Sequence, residues 1–100
     1  MLPQQKKAFD KFYKSARHSG VLDNKTTLMV HLGAAMAVGC YPCMQYYLEQ
    51  VDDVGLTDDE ISTVESIAMA VSAGRVMMQF NDVLTKGGGE GCKDEETGCA

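Results

Sequence analysis

A chain of 100 residues holds about one domain. Hydrophobic residues make up 45% and charged residues 23%, an ordinary globular balance that excludes a largely disordered chain. The net charge is −5, from 9 Lys and Arg against 14 Asp and Glu, and no basic stripe is present, so nucleic acid is not an expected partner. The longest strongly apolar run, residues 28–38, contains His31 and is too short to span a bilayer, so no membrane partner is expected either. The N-terminal lysines have no apolar core behind them; no signal peptide is read, and the expected location is cytoplasmic.

The first predicted helix starts with Pro3 in its first turn and carries apolar residues at Ala8, Phe9, Phe12, Tyr13 and Ala16, at helical spacing. Ser19-Gly20 ends it. Lys6, Lys7, Lys11, Lys14 and Arg17 are interleaved with Asp10 and read as its solvated face. A second helix spans about 24–39, capped by Asp23 or Asn24. Leu28, Met29, Leu32, Ala35, Met36 and Val38 make it apolar on most sides, which suits burial or an oligomer interface.

Gly39 breaks this helix, and Pro42 begins a third that runs to about Val54, with Met44, Tyr47, Leu48 and Val51 as its stripe. Gly55 stops it. Thr57 and Glu60 form a capping box ahead of Ile61, Val64, Ala68 and Val71. Gly74 marks a break, and Val76, Met77, Phe80, Val83 and Leu84 make a last short helix. No segment alternates with period two. The expected fold is therefore all-α: one domain over residues 1–86, built as a bundle of about five helices. Residues 87–100 form a glycine-rich acidic tail with Cys92 and Cys99, too poor in apolar groups to fold, and mobility is expected there. A body this small gains from association with copies of itself.

The four cysteines are too few for a disulfide scaffold. In a reducing compartment, Cys40-Tyr41-Pro42-Cys43 points to redox chemistry or to a metal, with two inert core residues as the remaining alternative. The spacing puts both sulfurs within one helical turn. Gly39 frees the backbone ahead of the pair, and Pro42 starts the helix behind it. Cys40 falls at the cap and Cys43 in the first turn, where free N–H groups and the helix dipole favour a thiolate. Such placement takes a cysteine pKa from ~8.5 toward ~3.5–7.5. The chemistry implied is thiol–disulfide exchange, or attack on a peroxide oxygen followed by resolution of the sulfenic acid.

Tyr47 lies four residues after Cys43 on the same helix face, and His31 is a candidate base near the thiols. Core packing for Tyr47 and a plain helix histidine for His31 are the alternatives. His18, at the end of the first helix, is given no role.

The alanine-rich helix running into Gly39-Cys40-Tyr41-Pro42-Cys43, the helix after it, and Gly55-Leu56-Thr57-Asp58-Asp59-Glu60-Ile61 resemble the carboxymuconolactone decarboxylase and AhpD-like alkylhydroperoxidase family. The resemblance covers about 60 residues, from Lys25 to about Lys86. It implies an all-α homo-oligomer, a trimer or hexamer, that reduces a hydroperoxide or a protein disulfide through the two cysteines. Electrons come from a dithiol donor, and no cofactor is called for. The family's peroxidase members relay protons through a glutamate and a histidine, whose positions here are Leu28 and Tyr47. The thiols carry over and the relay does not; His31, one turn from Leu28 on the same face, is the candidate relocated base. Its accessible place at the helix start favours Cys40 as the attacker, while the resemblance favours Cys43 on peroxide; exchange with a protein disulfide is open to either. Cys92 and Cys99 can serve as a resolving dithiol, contribute to a loose zinc site, or be incidental. The alternative function is a non-catalytic AhpD-like oligomeric module that binds metal or senses redox state through its cysteines.

Overall fold

The computed structural model describes residues 1–86. Cys92 and Cys99, and the mobility expected of their segment, lie outside the described residues. Five helices follow in order: α1 (Pro3–Arg17), α2 (Asn24–Val38), α3 (Tyr41–Leu48), α4 (Val51–Val54) and α5 (Asp58–Lys86). No strand occurs among the described residues. The all-α class is as expected.

The organising element is α2, against which α3, α4 and α5 all pack. Leu28, Leu32 and Ala35 recur at helical spacing and form one buried ridge, joined by Tyr47 of α3 and by Leu56 just before α5. Leu32 has no exposed surface. Met29, Met36, Cys43, Met44, Val51, Val54, Ile61 and Val64 pack around this core, partly exposed.

Both ends of α2 are locally determined. Asp23 caps its start, accepting the Thr26 N–H at 2.7 Å. At its end Gly39 adopts φ 74°, a left-handed conformation that an L side chain disfavours. The Gly39 N–H reaches the Met36 carbonyl at 3.3 Å and the Cys40 N–H reaches Ala35 at 3.0 Å, the paired bonds of a Schellman terminator.

The expected capping box is present. The Thr57 N–H and hydroxyl both donate to Glu60 Oε1 at 3.0 Å, and the Glu60 N–H donates to Thr57 Oγ1 at 3.2 Å. Lys25 Nζ meets Glu60 Oε2 at 2.8 Å, which joins the start of α2 to the start of α5. Lys25 and the Thr57 N–H together hold the Glu60 carboxyl at about 2.

Two expected boundaries are corrected. Gly74 does not break a helix: α5 runs 29 residues through it. A glycine stops a helix when it takes a positive φ, and Gly74 does not; inside a helix it is only a weak residue, about 1 kcal/mol poorer than Ala. Conversely, the segment after Pro42 is not one helix to Val54. It stops at Leu48 and restarts at Val51. The Gln50 N–H turns to the Tyr47 carbonyl at 3.0 Å, and the Gln50 side chain takes the Tyr46 carbonyl at 3.1 Å. The side chain thus satisfies the acceptor that a continuous helix would have paired with backbone.

The apolar stripe of α1 is also not core. Phe9, Phe12 and Tyr13 are exposed, and α1 contains no buried residue.

Replacing Thr57 with Ala is expected to lower the unfolding free energy in urea by about 1 kcal/mol through loss of the cap. The lowered Glu60 pKa favours the folded state above the ordinary value of 4.5. That contribution is lost as pH falls toward about 2, and Glu60→Gln should flatten this acid limb of the stability profile.

Candidate active site

The Gly39 turn delivers the chain directly into α3. Cys40 is the N-cap of that helix, Tyr41 and Pro42 open its first turn, and Cys43 follows. Proline is tolerated there because its missing N–H would have had no partner within the helix. Cys40 and Cys43 are bonded as a disulfide with Cα atoms 5.2 Å apart. The Cys43 N–H points at Cys40 Sγ at 3.3 Å. In the reduced state that donor, at the positive end of α3, favours a thiolate over a thiol at Cys40. Both cysteines are partly exposed.

One turn along α3 from Cys43, Tyr47 is 6% exposed and belongs to the core. The His31 ring lies 5.0 Å from the Tyr47 ring, centroid to centroid. His31 Nδ1 is 2.8 Å from the Thr27 carbonyl oxygen. A carbonyl can only accept, so Nδ1 carries the proton and Nε2 keeps its lone pair. Burial pushes the His31 pKa down, the Thr27 carbonyl opposes this, and Arg17 and His18 lower it further. His31 is therefore held as a neutral base. Burial raises the Tyr47 pKa, with Tyr13 adding to the effect and Arg17 opposing it, so Tyr47 is held as a protonated phenol.

Sequence reasoning missed Arg17 here. It was placed on a solvated face with the lysines, and Lys6 does sit in an exposed i,i+4 pair with Asp10. Arg17 instead lies over three rings, its Cζ 5.1 Å from the centroid of Tyr13, 5.2 Å from Tyr46 and 5.6 Å from Tyr47. Burial works against its charge, but Tyr46, Tyr13 and Tyr47 outweigh that and raise its pKa. The i,i+4 spacing of Tyr13 and Arg17 was a visible signal of half of this cluster. The other half comes from α3 and is tertiary.

A cavity of about 460 Å³ opens beside these groups, lined by Arg17, His18, His31, Leu28 and Tyr47 among others. Leu28, which the resemblance puts at the family's glutamate position, is 5% exposed and forms part of the core. His31 shares the cavity with both Leu28 and Tyr47. Among the described residues, no group of three or more His, Cys, Asp and Glu side chains is placed to hold a metal ion. No helix among them is long and apolar enough to cross a membrane.

An all-α fold with a disulfide-bonded Cys-x-x-Cys at a helix start defines the class of protein. The chain belongs to the carboxymuconolactone decarboxylase family, whose match covers residues 3–86. No match was found among curated proteins or among solved structures.

The depressed His31 pKa has a defined linkage sign. Its contribution to stability is fully present above the ordinary value of 6.5 and is lost as pH falls through the lower folded value. Urea midpoints measured from pH 7.5 down to pH 5 should fall in the native protein, and this fall should shrink in His31→Gln.

Proposed function

We propose that the protein is a thiol–disulfide oxidoreductase that reduces a hydroperoxide through Cys40 and Cys43. The observation that carries this reading is the Cys40–Cys43 disulfide at the start of α3, with the Cys43 N–H on Cys40 Sγ, in a chain of this family. In the reduced protein the Cys43 thiolate attacks a peroxide oxygen, the order the family resemblance favours, with Cys40 as the resolving sulfur held ready by the Cys43 N–H. An S–O bond forms, the O–O bond breaks, and the departing alkoxide takes a proton and leaves as the alcohol. His31 accepts the thiol proton, and Tyr47 donates to the alkoxide. Cys40 then attacks the sulfenic sulfur; the S–S bond forms and water leaves. A dithiol donor returns two electrons and two protons by thiol–disulfide exchange and departs as its own disulfide. A protein disulfide in place of peroxide needs only the exchange step.

Association with further copies, as a trimer or hexamer, is part of this proposal. Burying a large apolar side chain is worth ~1.5–3 kcal/mol, whereas ordering each residue costs roughly 1–2 kcal/mol of backbone entropy. Yet α5, 29 residues long, contains no buried residue, and Ile67, Val71, Val76, Phe80 and Leu84 lie exposed along it. Surface of that extent supports burial between copies. The buried Leu28 at the family's glutamate position favours a second reading, a non-catalytic oligomeric module that binds metal or senses redox state.

One experiment separates the two. The reduced protein is treated with one equivalent of tert-butyl hydroperoxide, and peptide mapping by mass spectrometry is combined with metal analysis and sedimentation of the same sample. Rapid formation of the Cys40–Cys43 bond in a metal-free trimer or hexamer is expected. Cys43→Ser should be inert, and Cys40→Ser should stop at a sulfenic acid on Cys43. Stoichiometric zinc with thiols that survive peroxide would establish the second reading instead.

A further inference from the structure

The cavity beside Tyr47 has a charge pattern that exchange at Cys40 and Cys43 does not require. Three of its lining residues, Arg17, His18 and His31, are cationic or able to become so, and none is acidic. Arg17 has no carboxylate partner among the described residues, where the ion pairs engage Lys6, Lys25 and Lys86 instead. Its charge rests against the faces of Tyr13, Tyr46 and Tyr47. Its Nε is buried with no hydrogen-bond partner, which is uncommon for a native donor. The cation is thus fixed in place by the three rings and a hydrogen bond to Tyr46, and no carboxylate among the described residues neutralises its charge. Leu22, Leu28 and Val54 add apolar lining to the same cavity. Its volume of about 460 Å³ suits a small molecule and exceeds what a lone inorganic ion needs.

We propose that this cavity is a binding site for a small organic oxyanion, with its charged head on the Arg17 guanidinium and its apolar part against Leu22, Leu28 and Val54. A guanidinium presents parallel N–H donors that match the two oxygens of a carboxylate or of a phosphate monoester, which a lysine ammonium does not. The rings around Arg17 hold that fork in one orientation before the ligand arrives, which reduces the ordering that binding demands. His31 and Tyr47 line the same cavity, so the occupant lies against the two groups given proton-transfer roles in the proposed function.

The test is calorimetric titration of the full chain, in its disulfide form, with benzoate, phenyl phosphate, inorganic phosphate and the uncharged isostere benzamide. Benzoate or phenyl phosphate is expected to bind at least tenfold tighter than benzamide, and the tighter of the two identifies the head group. Arg17→Met should lose at least tenfold in affinity for that anion while benzamide changes less than twofold, and Arg17→Lys should fall between. If Arg17→Met does not fold, Arg17→Lys and the ratios in the native protein still decide. Equal binding of benzamide and both organic anions, no binding of either anion up to 10 mM, or inorganic phosphate binding as tightly as both would overturn the proposal. The titration involves no electron transfer. Its failure leaves the redox reading standing, and inert thiols would leave this site standing.

Discussion

The burial of one helical ridge on α2 is what the rest of the molecule depends on. Leu32 is fully enclosed, and Leu28 and Ala35 extend its line by one turn in each direction. Tyr47 and Leu56 close over that ridge from α3 and from the start of α5. Gly33 lies on the α5 side of α2, where a Cβ would sit 3.4 Å from Val64 Cγ1. The helix therefore presents its ridge to the core and a glycine to its longest neighbour.

That arrangement explains why the thiols are where they are. The helix that supplies the ridge must end, and it ends on a left-handed glycine whose next residue is Cys40. The same cysteine opens α3, so one turn both terminates the core helix and places a sulfur among free N–H donors. Tyr47 is shared in a similar way. Its ring completes the core and also lies 5.0 Å from the His31 ring and 5.6 Å from Arg17 Cζ. A single side chain thus couples packing to the chemistry beside it, and a large change at Tyr47 would disturb both.

Much of this was legible in the sequence because it is local. Asp23, Gly39, Pro42 and the Thr57 to Glu60 box act within a few residues, and each sits where its side chain or φ preference predicted. The Cys-x-x-Cys pair was legible for the same reason. Gly74 and Gln50 were not, because neither residue type decides alone: a glycine permits a turn without compelling one, and the Gln50 side chain replaces a backbone donor only once the chain has already turned. These two departures offset each other, which is why about five helices were expected and five occur among the described residues with different boundaries. The α1 stripe and the later part of the α5 stripe stand exposed, since periodicity shows which face is apolar and not what covers it. The Arg17 cluster lay beyond reach because it joins α1 to α3 across the fold.

The central claim is that the bond between Cys40 and Cys43 is made and broken in function. Equilibration of the protein in defined thiol–disulfide buffers, with the Cys40–Cys43 peptide quantified after acid quenching, measures it directly. A working dithiol with a stabilised thiolate predicts a midpoint between about −180 and −270 mV, the range of catalytic exchange proteins. A midpoint below about −300 mV, the range of structural disulfides, would contradict the account.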